Sequence, residues 1–300
     1  GLGATYNTIK NCNIKTGSRT LTTSGISISG TGINSTTGSY HNNYNTIQNN
    51  SISKTERGIY AGGLAAGEFV GLTITGNSIG SNTATDYISV YGIYGIALNA
   101  PVITNNEIFN MISDDSKYGM YFSTNVHDAV ISKNKIHTFD VDISTSTSLN
   151  SIGIYFASST GNANNQVDNN VIYDLNYYGS TSLASYNTGI RLVGGSGYKL
   201  YYNSVSMTGT PGNPASGVMS ACLYVSTAAT TIDMRNNIFY NARSGTSPVN
   251  YVIYTVASTT FSNLNYNDYY TTGSVFGYSG GSAVADYAAW VTASGEGANS

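Results

Sequence analysis

Six ionisable side chains gather in the middle of the chain: Asp114, Asp115 and Lys117, followed by His137, Asp140 and Asp142. Carboxylates grouped in this way supply oxygen ligands for Ca²⁺, or the two members of an acid–base pair that cleaves a glycosidic bond. Solvated loop charges are the plainer reading of the same group. His41, His127 and His137 each stand alone and read as surface polar residues, and Arg19, Arg57, Arg191, Arg235 and Arg243 are scattered singly. No phosphate-binding loop, nucleophile elbow or zinc-spaced Cys/His set is present.

A second set is aromatic. The phrases Gly58-Ile59-Tyr60, Gly119-Met120-Tyr121-Phe122, Gly153-Ile154-Tyr155-Phe156 and Gly189-Ile190-Arg191-Leu192 repeat one pattern, which Cys222-Leu223-Tyr224-Val225 and Val252-Ile253-Tyr254 keep without the glycine. In an extended strand neighbouring side chains face opposite ways, so with Ile and Phe inward the Tyr points outward. Tyr60, Tyr121, Tyr155, Tyr224 and Tyr254 are therefore expected to stack along the outside of one sheet, with Tyr94 among them and Arg191 interrupting. In the third unit Gly92-Ile93-Tyr94 and Gly95-Ile96-Ala97-Leu98 both fit. The 26 Tyr against 8 Phe favour half-exposed aromatics over a dry core. Such a column is a candidate glycan platform, because sugar rings lie on aromatic faces. The alternative is a purely structural ladder worth about 0.2–1 kcal/mol per pair.

What positions these groups is a repeat. Asn50, Asn77, Asn106, Asn134, Asn170, Asn203, Asn237 and Asn267 follow one another at steps of 27, 29, 28, 36, 33, 34 and 30 residues. Three residues before each stands Ile47, Ile74, Ile103, Ile131, Val167, Leu200, Met234 or Leu264, and two after it Ile52, Ile79, Ile108, Ile136, Ile172, Val205, Phe239 or Tyr269. An earlier unit repeats Tyr6 to Asn11 as Tyr44 to Asn49, with Cys12 in the ladder position. Apolar marks five apart around a polar pair, with no 3.6-residue stripe, describe strand, tight turn, strand. Asn tolerates the left-handed conformation of such a turn and carries both donors and acceptors. Stacked at about 4.8 Å, the amides bond the coil above and below. The Gly-Ile-Tyr phrase supplies a third strand. The fold class is all-β: a parallel β-helix (β-solenoid) of about nine coils of three short strands, in which each unit buries its apolar face on its neighbours.

Gly-Ile-Tyr followed by Asn-Asn-x-Ile resembles the right-handed parallel β-helix repeat of the pectin-lyase-like superfamily. The resemblance implies that the Tyr60-type strands form the first sheet, the Ile47-type the second and the Ile52-type the third, with sugar grooves on the first-sheet face. The family's catalytic marks are missing: no arginine base sits beside Ca²⁺-binding acids, and of the Asn-Thr-Asp, Asp-Asp and Gly-His-Gly phrases only Asp114-Asp115 has a counterpart. The tail, Leu264 to Tyr270 followed by Tyr287-Ala288-Ala289-Trp290, is similar to the end of β-helix regions in large secreted or surface proteins of Bacteroidota-type bacteria. That likeness implies type IX export through segments outside this chain.

Composition narrows the rest. Charged residues are 9% and the net charge is −3, with no basic cluster to neutralise phosphates, which disfavours nucleic acid as a partner. No apolar run is long enough for a membrane span. Cys12 and Cys222 lie about six coils apart, roughly 29 Å at the strand spacing, whereas a disulfide needs Cα atoms within about 7 Å, so both are expected to be free. The outward position before the second-strand Ile reads Thr46, Thr73, Val102, Val130, Gln166, Lys199, Asp233, which is not the Thr array of an ice-binding solenoid. Residues 1–270 are expected to form the β-helix, and 271–300 an irregular cap with a helical turn over 286–292 whose Trp290 covers the stack. The chain is expected to continue past Ser300. The reading is a structural or adhesive β-helical segment, secreted or on the cell surface, that contacts polysaccharide or surface glycan through Tyr60, Tyr94, Tyr121, Tyr155, Arg191, Tyr224 and Tyr254. It needs no cofactor. The alternative is a polysaccharide lyase or glycoside hydrolase with Asp114, Asp115, Asp140 and Asp142 as its acids.

Overall fold

Apolar side chains five apart flank one sharp turn per unit, and that corner recurs from coil to coil in the computed structural model. It describes residues 3–35, 41–64, 68–140, 149–157, 161–176, 186–209, 219–243, 249–258, 261–295 and 297–300. Among the described residues the second sheet and the third sheet each hold nine strands, and the first holds ten. Every strand pair is parallel except Gly277–Ser279 with Ser282–Val284, which closes the first sheet antiparallel. Register follows the repeat: Ile47 pairs with Ile74, Ile103 with Ile131, Ile52 with Ile79, and Ile108 with Ile136. The flanking side chains from Ile47 to Leu264 point into one continuous core and are fully buried. The molecule is a parallel β-helix.

The corner between second and third sheets divides its labour between two residues. The left-handed conformation belongs to the residue before the ladder: Asn49, Asn105, Asn169 and Asn236 have φ of 54°, 56°, 54° and 59°, and Lys133 and Tyr202 both 56°. The ladder Asn itself supplies the amide. Asn106 donates its backbone N–H and its Nδ2 to Asn134 Oδ1, both at 3.0 Å, and Nδ2 also donates to Ile74 O at 2.9 Å. The same three bonds recur from Asn50 to Asn237, and all eight side chains are at most 3% exposed. Cys12 N–H begins the series by donating to Asn50 Oδ1 at 3.0 Å. Hydrogen bonds to every polar atom offset the desolvation that burying this column costs.

The glycines of the repeated phrase mark the close approach of first and third sheets. A Cβ on Gly119 would fall 2.6 Å from Gly153 O and 2.6 Å from Ile136 Cγ2. Cys222 takes this column's place in a later coil, where burial pushes its thiol far up; Cys12 is exposed, and both cysteines are free.

Several features depart from expectation. A small sheet of Phe69–Val70, Leu98–Asn99 and Val126–His127 turns the corner from first to second sheet. Beside it the fully buried Asn165 accepts from Ala129 N–H and donates to Val126 O, both at 3.0 Å. The third-sheet strand Lys135–Asp140 takes in His137 and Asp140, which the sequence offered as loop charges. Residues 141–148, 177–185 and 210–218, with Asp142, Pro211 and Pro214 among them, lie outside the described residues. At the C-terminal end the helix Tyr287–Ser294 is capped by the Asp286 carboxylate, which accepts from Ala289 N–H at 2.8 Å. Its Trp290 is fully buried, 5.9 Å from the Phe276 ring. No helix among the described residues is long and apolar enough to cross a membrane.

Candidate functional site

The first-sheet strands carry two outward columns, not one. Gly92 faces inward, since a Cβ there would meet Ile108 Cγ2 at 2.5 Å, and Ile93 beside it is fully buried. Two consecutive inward residues leave Tyr91 and Tyr94 both outside. Tyr94 pairs in register with Tyr60 and Tyr121, which settles the third unit in favour of Gly92-Ile93-Tyr94. The main column stacks Tyr60 on Tyr94 and Tyr94 on Tyr121 at 5.3 and 5.0 Å between ring centres. Farther along, Tyr224, Tyr254 and Tyr278 stack at 5.3 and 4.3 Å. The parallel column places Tyr91 against Tyr118 at 5.3 Å, and each meets the main column edge-on.

These contacts leave the face half-closed. Tyr60 is 2% exposed and Tyr224 7%, while Tyr94, Tyr121, Tyr155 and Tyr254 are half-buried. The cause is mutual cover: the rings lean along the sheet, and that of Tyr60 folds so closely over Gly62 that a Cβ there would meet its hydroxyl at 2.5 Å. Burial, reinforced by neighbouring phenols, raises the pKa of Tyr91 to about 12 and lifts that of Tyr121 further still. Arg191 stands in the column between Tyr155 and Tyr224, as expected. Its guanidinium sits 5.0 Å from the Tyr155 ring centre, 4.9 Å from Tyr224 and 3.6 Å from Tyr186, filling the gap as a cation among aromatic faces. Tyr278 was not expected here, because Gly277-Tyr278 lacks the intervening apolar residue.

One end of this face opens into a groove of about 510 Å³ whose lining includes Arg19, Glu56, Arg57, Tyr91, Asp114 and Asp115, with Tyr118 beside them. Arg57 lies 5.5–5.7 Å from the ring centres of Tyr60, Tyr91 and Tyr94 and pairs with Glu56 at 3.2 Å. Arg19 Nη1 donates to Ile112 O at 2.7 Å. Two arginines that looked isolated in sequence thus share one groove with three carboxylates.

Lys117 is not a loop charge: it is fully buried, with Nζ donating to Ser113 O and Asp115 O at 3.1 and 3.2 Å. Those bonds curl the 113–116 segment, leaving Asp114 and Asp115 exposed at the rim. Asp140 ends a third-sheet strand in register with Ile112 and is exposed, and Asp142 is outside the described residues. Among the described residues no three His, Cys, Asp or Glu side chains gather as a metal site.

Two of the three histidines are not isolated either. His127 bonds Asp128 through Nδ1 at 2.8 Å and Glu68 through Nε2 at 3.0 Å. His137 stacks between Phe109 and Tyr173, 5.8 and 4.8 Å away, with Nε2 3.1 Å from Glu107. His41 is exposed as expected.

Comparison with known proteins finds no matching family model, no matching curated protein and no matching solved structure.

Proposed function

We propose that this chain is a structural and adhesive β-helical segment that holds a glycan in the groove at the end of its tyrosine face. The observation that carries the reading is the groove's composition. Tyr91 and Tyr118 offer aromatic surface, and Arg57, Glu56, Asp114 and Asp115 ring it with the charged hydrogen-bonding groups that sugar hydroxyls need. The buried tyrosines behind it act as support, so the contact area is the groove and not the whole column. The likeness of the repeat to the pectin-lyase-like β-helix, and of the tail to Bacteroidota-type exported proteins, supports a secreted or cell-surface location reached through type IX export.

A second reading is a carbohydrate-active enzyme, a polysaccharide lyase or glycoside hydrolase. It is favoured by the two adjacent carboxylates, Asp114 and Asp115, at the rim of the same groove. One experiment separates the two. Affinity electrophoresis against acidic and neutral polysaccharides is run on the parent chain and on Tyr118→Ala and Arg57→Ala, with release of reducing ends and unsaturated uronate followed in parallel. Retention lost in both variants without turnover supports adhesion. Turnover abolished by Asp114→Asn and Asp115→Asn supports catalysis. Equal retention by the parent and both variants rejects the groove.

A further inference from the structure

Away from the first sheet, tyrosines among the described residues meet in the open at two places. Tyr240 and Tyr270 are register partners on neighbouring third-sheet strands, with ring centres 4.7 Å apart and planes 7° from parallel. They are 37% and 49% exposed. Tyr6 and Tyr44 occupy equivalent left-handed corner positions in the first two ladder units, stacked at 5.0 Å and 19°. They are 75% and 45% exposed. Each pair therefore brings two phenols from adjacent coils into contact at a surface that a large oxidising reagent can reach.

We propose that Tyr240–Tyr270 and Tyr6–Tyr44 are oxidative modification sites, at which hydrogen peroxide acting through a haem peroxidase joins neighbouring coils by a dityrosine bond. Each phenol gives one electron to the oxidant and its hydroxyl proton to water, leaving a phenoxyl radical whose spin is shared with the ring carbons ortho to oxygen. Two such carbons form the new carbon–carbon bond, and the hydrogens they carried move to the oxygens as the rings regain aromaticity. The pair loses two electrons and two protons, and one peroxide takes them up to become two waters.

Geometry selects these pairs over the more numerous first-sheet contacts. Oxidation of a phenol near neutral pH needs a route for its proton to water, which exposed rings have. Burial opposes proton loss from Tyr91 and Tyr224 on the first sheet, raising the pKa of each to about 12. Coupling also requires the stacked rings to swing edge to edge. Exposed side chains change rotamer within nanoseconds, whereas close-packed ones are held. The consequence is mechanical. A covalent tie between adjacent coils restrains their separation on local unfolding.

The test treats the 300-residue chain, dilute, with a haem peroxidase and peroxide, then maps cross-linked peptides by mass spectrometry while following dityrosine fluorescence. Expected are monomers containing Tyr240–Tyr270 and Tyr6–Tyr44 peptide pairs, each lighter by two hydrogen atoms. Tyr270→Phe is expected to remove only the first pair and Tyr44→Phe only the second. Both variants keep the ring and lose a solvent-facing hydroxyl, so each is expected to fold. Cross-links confined to first-sheet tyrosines, or only between molecules, or unchanged in both variants, would overturn the proposal.

Discussion

Each ladder asparagine uses its side chain in three directions at once, and that makes the column unforgiving. Asn134→Leu keeps the branched outline of the side chain but removes the acceptor of Asn106 N–H, one of the acceptors of Asn106 Nδ2, and the side-chain donor to Ile103 O. Each orphaned buried group costs about 1–3 kcal/mol, so the urea midpoint is expected to fall sharply, and an unchanged midpoint would contradict the ladder's role. His127 makes a pH-dependent prediction. Partial burial works against its charged form, but the bonds to Asp128 and Glu68 outweigh this and raise its pKa. A group that holds its proton more tightly when folded stabilises fully below its unfolded pKa of about 6.5, and that stabilisation disappears as pH rises through the folded value. Asp128, whose pKa the same bond lowers, stays charged throughout this window. His127→Gln is therefore expected to be less stable than the parent in mildly acidic buffer and equal to it in alkaline buffer. A stability difference independent of pH would show that the bonds to Glu68 and Asp128 carry no charge.

At the scale of the strand, the glycine phrase is a spacing device between sheets. Gly119→Ala drives a Cβ to 2.6 Å from a backbone carbonyl that cannot move without its coil, whereas Gly17→Ala meets nothing within 4 Å. Overpacking of this kind costs about 1–3 kcal/mol, so thermal unfolding is expected to separate the two variants, with only Gly119→Ala shifted down. The three long sheets were legible in sequence because the corner imposes the same residue types at the same offsets in every coil. The two-residue strands around Leu98–Asn99 recur at the same step, as Phe69, Leu98 and Val126, but in three coils only and beside unlike residues (Val70, Asn99, His127), so they do not stand out in sequence. The candidate site was half legible. Strand alternation revealed that Tyr60, Tyr121 and Tyr155 face outward, yet it is silent on how far their rings lean over one another. Nor does spacing show that Arg19, Arg57 and Asp115 share a groove, because that depends on how the 113–116 segment curls around the buried Lys117.

For the whole molecule the governing fact is that coils touch only their neighbours, so stability is close to a sum of local terms rather than one shared core. The C-terminal end makes this testable, because its cover is a separate piece: the Gly277–Ser279 and Ser282–Val284 hairpin and the helix that seats Trp290 against Phe261 and Phe276. Removing that indole deletes a fully buried side chain and is expected to cost about 3–5 kcal/mol where it packs. In a globular domain such a loss lowers protection everywhere. Here Trp290→Ala is expected to raise amide hydrogen exchange over Phe261–Asn265 and Asp268–Thr271, while Val102–Thr104 and Glu107–Ile112, five coils away, keep the protection of the parent. Unfolding monitored by far-UV signal would broaden accordingly, as the last coils melt ahead of the rest. A uniform rise in exchange along all three sheets would mean that the rod unfolds as a single unit, and that the nearest-neighbour account of its stability is wrong.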